Sequence, residues 1–200
     1  MMSVSVITYH LAMSRWEPNA RGRLEQAALE LFVERGFEQT TVAEIAQRAG
    51  LTERTFFRYF ADKREVLFAG AGALQEMLVR GVALAPAGAP PLDAIAGALQ
   101  AAGPLFQQRG DYPRQRQAVI AANAELQERE LIKLASLAAA MAGALRDRHV
   151  PEPAASLAAE AGIAVFRVAF ERWTAEDCLP DLAMLIRESL AELKAVTAGG

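Results

Sequence analysis

Residues 41–67, TVAEIAQRAGLTERTFFRYFADKREVL, decide how the rest of the chain is read. Val42, Ile45, Ala46 and Ala49 recur at i, i+3, i+4 and i+7, which lines one face of a helix with apolar groups. Thr41 is placed to cap that helix, because a hydroxyl there accepts from an otherwise unpaired backbone N–H. Gly50 follows, where a chain leaving a helix needs a residue that takes positive φ at little steric cost. Leu51 packs the turn, and Thr52 caps a second short helix over residues 53–60. Phe56 and Phe60, i and i+4, share the face that packs back on the first helix. The opposite face carries Arg54, Thr55, Arg58 and Tyr59. A short helix anchored by aromatics and presenting guanidiniums, a hydroxyl and a phenol is what a DNA major groove accepts.

Working outward, Asn19 precedes a helix over residues 21–35, with Leu24, Ala27, Ala28, Leu31 and Phe32 as its buried stripe and Gly36 as its stop. Phe37 then turns inward, so residues 21–60 read as a three-helix bundle. Trp16, Arg21 and Arg23 lie at or before its start. They form either a basic arm that reaches phosphates or a solvated arm with Trp16 packing locally.

This stretch resembles the DNA-binding domain of the TetR family of bacterial transcriptional regulators. The resemblance covers residues 21–67. It rests on the amphipathic first helix, then Thr41-Val42, Ile45-Ala46, Ala49-Gly50-Leu51-Thr52, Thr55-Phe56-Phe57, Tyr59-Phe60 and Lys63-Arg64-Glu65-Val66-Leu67. It implies that Arg54, Thr55 and Arg58 approach bases or nearby phosphates, while Tyr59, Lys63 and Thr41 fix register on the backbone. Lys63 and Arg64 would grip the DNA backbone from behind the reading helix. Two residues depart from the family pattern. Arg54 stands where many members have a small residue, and Phe57 where they commonly have a phosphate-contacting Tyr. Arginine binds guanine O6 and N7 bidentately, so Arg54 can create a guanine preference. Phosphate contact, or an ion pair to Glu53 or Asp62, is the other use of Arg54 and Arg58. Glu53 is either a first-turn partner of the helix dipole or an acceptor for cytosine. Phe57 reads as a packing residue with its edge against a sugar.

Beyond residue 62 the expected fold is all-α. A fourth helix runs from Lys63 towards Val82, capped by Asp62, and joins the DNA-binding bundle to a larger helical body. APAGAPP (85–91) breaks it, residues 92–106 follow helical spacing, and RGDYP (109–113) reads as a turn. Residues 114–148 form one or two helices, and the last two run over 154–174 and 179–196. The division is an arm over 1–18, a helix-turn-helix domain over 19–66, and an effector-binding and dimerisation domain over 67–200.

One reading helix covers too few base pairs for specificity, so a symmetric dimer on successive major grooves is expected. Ile163, Phe166, Phe170 and Trp173 line one face of the penultimate helix, and Leu182, Leu185, Ile186 and Leu190 one face of the last. These faces form a four-helix dimer interface, as in the family, or close the subunit's own core, or do both, since each helix is apolar over a wide arc. The many alanines, with Gly97, Gly103, Gly143 and Gly162, either leave room for an apolar or amphipathic effector or pack the helices closely. In the first case Met77, Phe106, Met141 and Phe166 are the candidate lining. The tail FRVAFERWTAEDCLPDLAMLIRESLAEL (166–193) and the opening RWEPNARGRL (15–24) resemble a TetR-like subgroup whose regulatory domains are described as binding acyl-coenzyme-A-like ligands.

Composition narrows the classes. Hydrophobic residues make up 52% of the 200 residues, enough for a core. The net charge of −3 argues against coating nucleic acid through bulk charge. Residues 15–64 hold nine Lys/Arg and eight Asp/Glu, so DNA affinity must come from placed contacts. The single cysteine, Cys178, allows no intrachain disulfide and fits a reducing compartment. His10 and His149 are the only histidines, and HExxH, CxxC, GxSxG and GxxxxGK[ST] are absent, so an enzyme is not expected. The expectations are no cofactor or metal, no membrane span or signal peptide, a cytoplasmic location, and operator DNA, a small effector and a second copy as partners. The helix running from residue 63 to 82 would be a lever: effector in the larger body tilts it and changes the spacing of the two reading helices. A helix-turn-helix protein whose C-terminal half only dimerises is the alternative.

Overall fold

Local caps set the first three helices. The computed structural model describes residues 19–175 and 181–199. The expectations for the arm, Trp16, His10 and Cys178 therefore concern residues outside that set. Asn19 Oδ1 accepts from Gly22 N at 3.0 Å and starts α1, Ala20–Arg35. Helix α2, Val42–Arg48, begins with a capping box in which Thr41 and Glu44 satisfy each other's exposed backbone N–H. Gly50 takes φ 66°, as the turn requires, and Thr52 caps α3, Glu53–Tyr59. Phe56 and Phe60 are buried, with ring centroids 5.3 Å apart. Burying each phenyl contributes about 1.5–3 kcal/mol, which holds this seven-residue helix in place where propensity could not.

The expected continuous helix from Lys63 is broken at its base. Residues Glu65–Phe68 form a 3₁₀ turn, and α4 proper is Ala71–Ala83. Val66, Leu67 and Phe68 are all buried. Three consecutive side chains spread round the axis of such a turn, so it is packed on several sides, and all three join the core shared by α1–α3 with Val119, Ile120 and Leu126. Asp62 still caps, accepting from the N–H of Arg64 and Glu65 at 2.8 and 3.2 Å. Ala69 and Gly70 keep a right-handed path, so Glu65–Ala83 is one bent helical run. By length and composition alone that run is apolar enough to cross a bilayer, which the sequence reading overlooked. Glu76 and Arg80 interrupt it, and Leu78 and Val82 lie in the protein core.

The remaining helices are α5 (Pro91–Gln107), α6 (Tyr112–Ala121), α7 (Ala124–Asp147), α8 (Ala154–Ala175) and α9 (Leu182–Thr197). There is no strand among the described residues. Helices α4, α5, α7, α8 and α9 surround one core, built around Leu78, Ile95, Leu99, Met141, Leu145, Trp173 and Ile186. Ten of the 25 described residues buried in that core are alanines, which lets the helices lie close, and Gly162 permits the closest approach. A Cβ there would sit 2.2 Å from Ile95 Cγ2. The second core joins α1–α3 to Val119, Ile120 and Leu126, so it continues past residue 66 into α6 and the start of α7.

Candidate nucleic-acid interface

Helix α3 presents one face to solvent because the other is sealed by Phe56 and Phe60. On the open face Arg54, Phe57, Arg58 and Tyr59 are exposed, and Arg54, Thr55, Phe57 and Arg58 line an open depression of about 460 Å³. Arg54 has no hydrogen-bond or ion-pair partner among the described residues. The expected alternatives, Glu53 and Asp62, do not take it up: Asp62 is held by Arg64 at 2.6 Å. Arg58 lies 4.9 Å over the Tyr59 ring and donates to its hydroxyl at 3.3 Å. The Thr55 hydroxyl sits 3.1 Å from that of Thr52. Glu53 occupies the first turn, where the helix dipole favours a carboxylate. Phe57 packs edge-on to Phe56 at 5.5 Å and stands 55% exposed, so its outer edge is open to a partner.

The other basic candidates are engaged inside the protein. Arg21 donates to the Ala69 carbonyl and pairs with Glu25 at 3.4 Å. Arg23 Nε donates to the Ala49 carbonyl at 3.0 Å, tying α1 to the helix-turn-helix turn. Lys63 Nζ donates to the carbonyls of Phe37 (2.9 Å) and Thr40 (3.3 Å) and lies over the Phe37 ring. Arg64 bridges Asp62 and, at 2.6 Å, Glu125 on α7. The Arg64 guanidinium beside Asp62 holds that carboxyl below the usual range. The Thr41 hydroxyl is committed to its capping box, and its bonds to Glu44 lower that carboxyl too. Without DNA, Lys63 and Arg64 are thus held by internal acceptors, most of them far away in sequence.

Sequence reasoning also missed Arg116 of α6. Its Nε donates to the Leu67 carbonyl at 2.8 Å, its Nη1 pairs with Glu130 at 3.1 Å, and its guanidinium covers the Phe68 ring. Burial pushes its pKa down, against the pull of Glu130. Glu65 is held from α7 by Arg129 and Lys133. The link between reading helix and C-terminal core is therefore fastened by α6 and α7. No local pattern marks Arg116, because its partners come from two other segments, the Glu65–Phe68 turn and α7.

The candidate effector residues divide. Phe106 and Phe166 meet, 5.8 Å between centroids, within an aromatic stack that continues to Phe170 and Trp173. Met141 is fully buried, whereas Met77 is 37% exposed on α4. Gly103 and Gly162 mark close helix contacts rather than space, while Gly97 and Gly143 face outward. The candidate dimer residues are corrected more sharply. Ile163, Phe166, Phe170, Trp173, Leu182, Leu185 and Ile186 are buried in the subunit's own core, and Leu190 packs against it. Both helices are apolar over a wide arc, so periodicity alone could not tell the inner face from the outer. The outer face carries Leu157, Ala164 and Val168 on α8 and Met184 and Ala191 on α9.

Comparison with known proteins matches residues 25–69 to the bacterial regulatory proteins of the tetR family and residues 89–198 to the MftR C-terminal domain. The chain belongs to the tetR family. Its residues 25–69 carry the helix-turn-helix of these bacterial regulatory proteins. This tetR-family chain is 43% identical over 81 residues to the HTH-type transcriptional regulator TcmR of Streptomyces glaucescens, 40% of this chain and 36% of that one. It thus spans about a third of that relative's length. Among solved structures, SmeT in complex with triclosan aligns with a TM-score of 0.61 at 21% identity, over 86% of this chain and 90% of that chain. FadR from Bacillus subtilis in complex with stearoyl-CoA also aligns at 0.61, with 20% identity, over 85% and 95%. At such identities these two show the fold alone.

Proposed function

We propose that the protein is a dimeric repressor that binds an inverted-repeat operator in the cytoplasm and is released by an apolar or amphipathic effector, with an acyl-CoA-like molecule as the first class to try. The observation that carries the DNA part is the pair Arg54 and Arg58, whose guanidiniums stand on the exposed face of α3 without an acidic partner among the described residues. They are the base and phosphate contacts, with Thr55 and Phe57 between them and Tyr59 at the edge. The dimer forms through the outer face of α8 and α9, around Leu157, Ala164, Val168 and Met184. Val168→Glu then yields monomers that remain folded.

Residues 19–66 read DNA and residues 67–200 hold the effector. The MftR C-terminal match and the stearoyl-CoA and triclosan complexes of structural neighbours support an effector of this kind. Coupling runs through the fastening of Glu65 and Arg64 to α7 and of Leu67 to Arg116, as well as through α4. A coupling of about 1–3 kcal/mol changes DNA affinity 5- to 150-fold. The alanine-packed core favours a second reading, in which the C-terminal body only dimerises.

Selection and sequencing of DNA fragments bound by the purified protein tests the first part. Enrichment of an inverted repeat is expected, and no enriched sequence overturns the proposal. Stearoyl-CoA should raise the melting temperature and weaken binding to that fragment, because a ligand of the native state stabilises it. Unchanged melting and binding across acyl-CoAs and hydrophobic drugs selects the dimerisation reading.

A further inference from the structure

We infer that Phe57 reads the 5-methyl group of thymine, beside the bases or phosphates taken by Arg54 and Arg58; this rests on the operator reading above. A single exposed phenylalanine is ordinary on a protein surface. This one is not simply stranded. Its ring is fixed edge-on against Phe56, 5.5 Å away at 82°, and it shares an open depression with Arg54, Thr55 and Arg58. Arg54 lies three residues before it, so the phenyl neighbours that guanidinium on one strip of helix, and Arg58 borders the same depression from the next position. Tyr59 instead lines a separate depression with Arg21, Phe60 and Asp62, on the side of the junction. Phe57 is thus on the reading side.

A phenyl ring brings no donor to a phosphate, and placing it there would only strip water from the charge. In the major groove the thymine methyl is the one apolar base substituent that distinguishes base pairs. The arrangement of cation, phenyl and cation suits a thymine flanked by acceptors such as guanine O6 and N7 or phosphate oxygens. Tyrosine here would carry a hydroxyl outward and favour the backbone. The phenyl lacks it and gains by burying against carbon.

The test uses the fragment that the full-length protein itself selects, made once with thymine and once with deoxyuridine at every thymine, with affinities read at low salt so that weak variants stay measurable. Wild type should bind the uracil fragment about tenfold more weakly per half-site. Phe57→Ala, which melts as wild type does because the side chain is exposed, should bind both fragments alike at the weakened level. Phe57→Leu should keep part of the discrimination. Equal binding of both fragments by wild type overturns the inference. So does Phe57→Ala losing as much on uracil as wild type does, which would assign the methyl to another group or to DNA shape. A wild-type chain that enriches no sequence overturns the operator reading, and the role of Phe57 falls with it.

Discussion

On α3 the guanidiniums of Arg54 and Arg58 reach solvent without an acidic partner among the described residues, whereas at the junction below it Arg21, Arg64, Arg116 and Arg129 all end on a carboxylate or a carbonyl. The arginines of the two regions, two on α3 and four at the junction, carry opposite instructions. An arginine whose donors are satisfied within the fold positions other groups, and one whose donors face water is ready for a partner. Exposed pairs add little stability, so what the junction gains from its ion pairs is orientation more than free energy. Arg116 is the exception, since its guanidinium is largely buried.

The comparison breaks most visibly at Arg116. Arg116→Ala leaves the Leu67 carbonyl and the Glu130 carboxylate without their donor and should cost about 2–4 kcal/mol of stability. In a chain of this size that lowers the melting temperature by roughly 4–16 °C. A variant melting within a degree of wild type would show that the junction arginines are no more structural than those on α3. Arg58→Ala should do the reverse: melting stays within roughly 0.5 kcal/mol, while operator affinity falls about 10-fold or more, since a dimer loses the contact twice. Fluorescence anisotropy on the selected fragment reads the second quantity. If Arg58→Ala shifts melting more than binding, the division between the two regions fails.

Asp62 gives the smallest effect and sharpens the junction side. Arg64 and the backbone N–H groups of Arg64 and Glu65 hold its folded pKa below the unfolded value. Its contribution is therefore complete above about pH 4 and is lost as pH falls towards the lowered value. Asp62→Asn should flatten the acid limb of the stability curve slightly and leave neutral pH behaviour of Arg54 and Arg58 untouched. An acid limb identical in both proteins would remove Asp62 from the fastening.

The helix-turn-helix was legible because its signals are local. Thr41, Thr52 and Asn19 cap helices that start at the next residue, and Phe56 and Phe60 define the sealed face within one turn. The exposure of Phe57 has a reason visible in the same helix. With Phe56 and Phe60 taking the inner face, a residue adjacent to Phe56 belongs with Arg54 and Arg58. Lys63 could not be read, because its acceptors lie in the loop after α1 and only the folded chain brings them near. The two apolar faces of the last helices could not be sorted from sequence for another reason. Helices α8 and α9 carry apolar residues on two sides, and burial of Trp173, Leu182 and Ile186 within the subunit is decided by α5 and α7. The outer row of Leu157, Ala161, Ala164 and Val168 had a signal of its own, small and apolar residues at i, i+4, i+7 and i+11.

The engagement of Arg21, Arg23, Lys63 and Arg64 within the fold has a consequence for the ions around the operator. DNA binding becomes weaker in salt because each phosphate neutralised by the protein sheds a condensed cation, with a slope of about −0.9 per phosphate. Six basic side chains per subunit were candidates, but Arg54 and Arg58 are the two that do not already hold an acidic or carbonyl acceptor among the described residues. A plot of log affinity against log salt should therefore be about threefold shallower than one drawn from the sequence's full set of cations. Such a regulator would keep its grip when ionic strength rises, and its occupancy would follow its effector more than the salt of the cell.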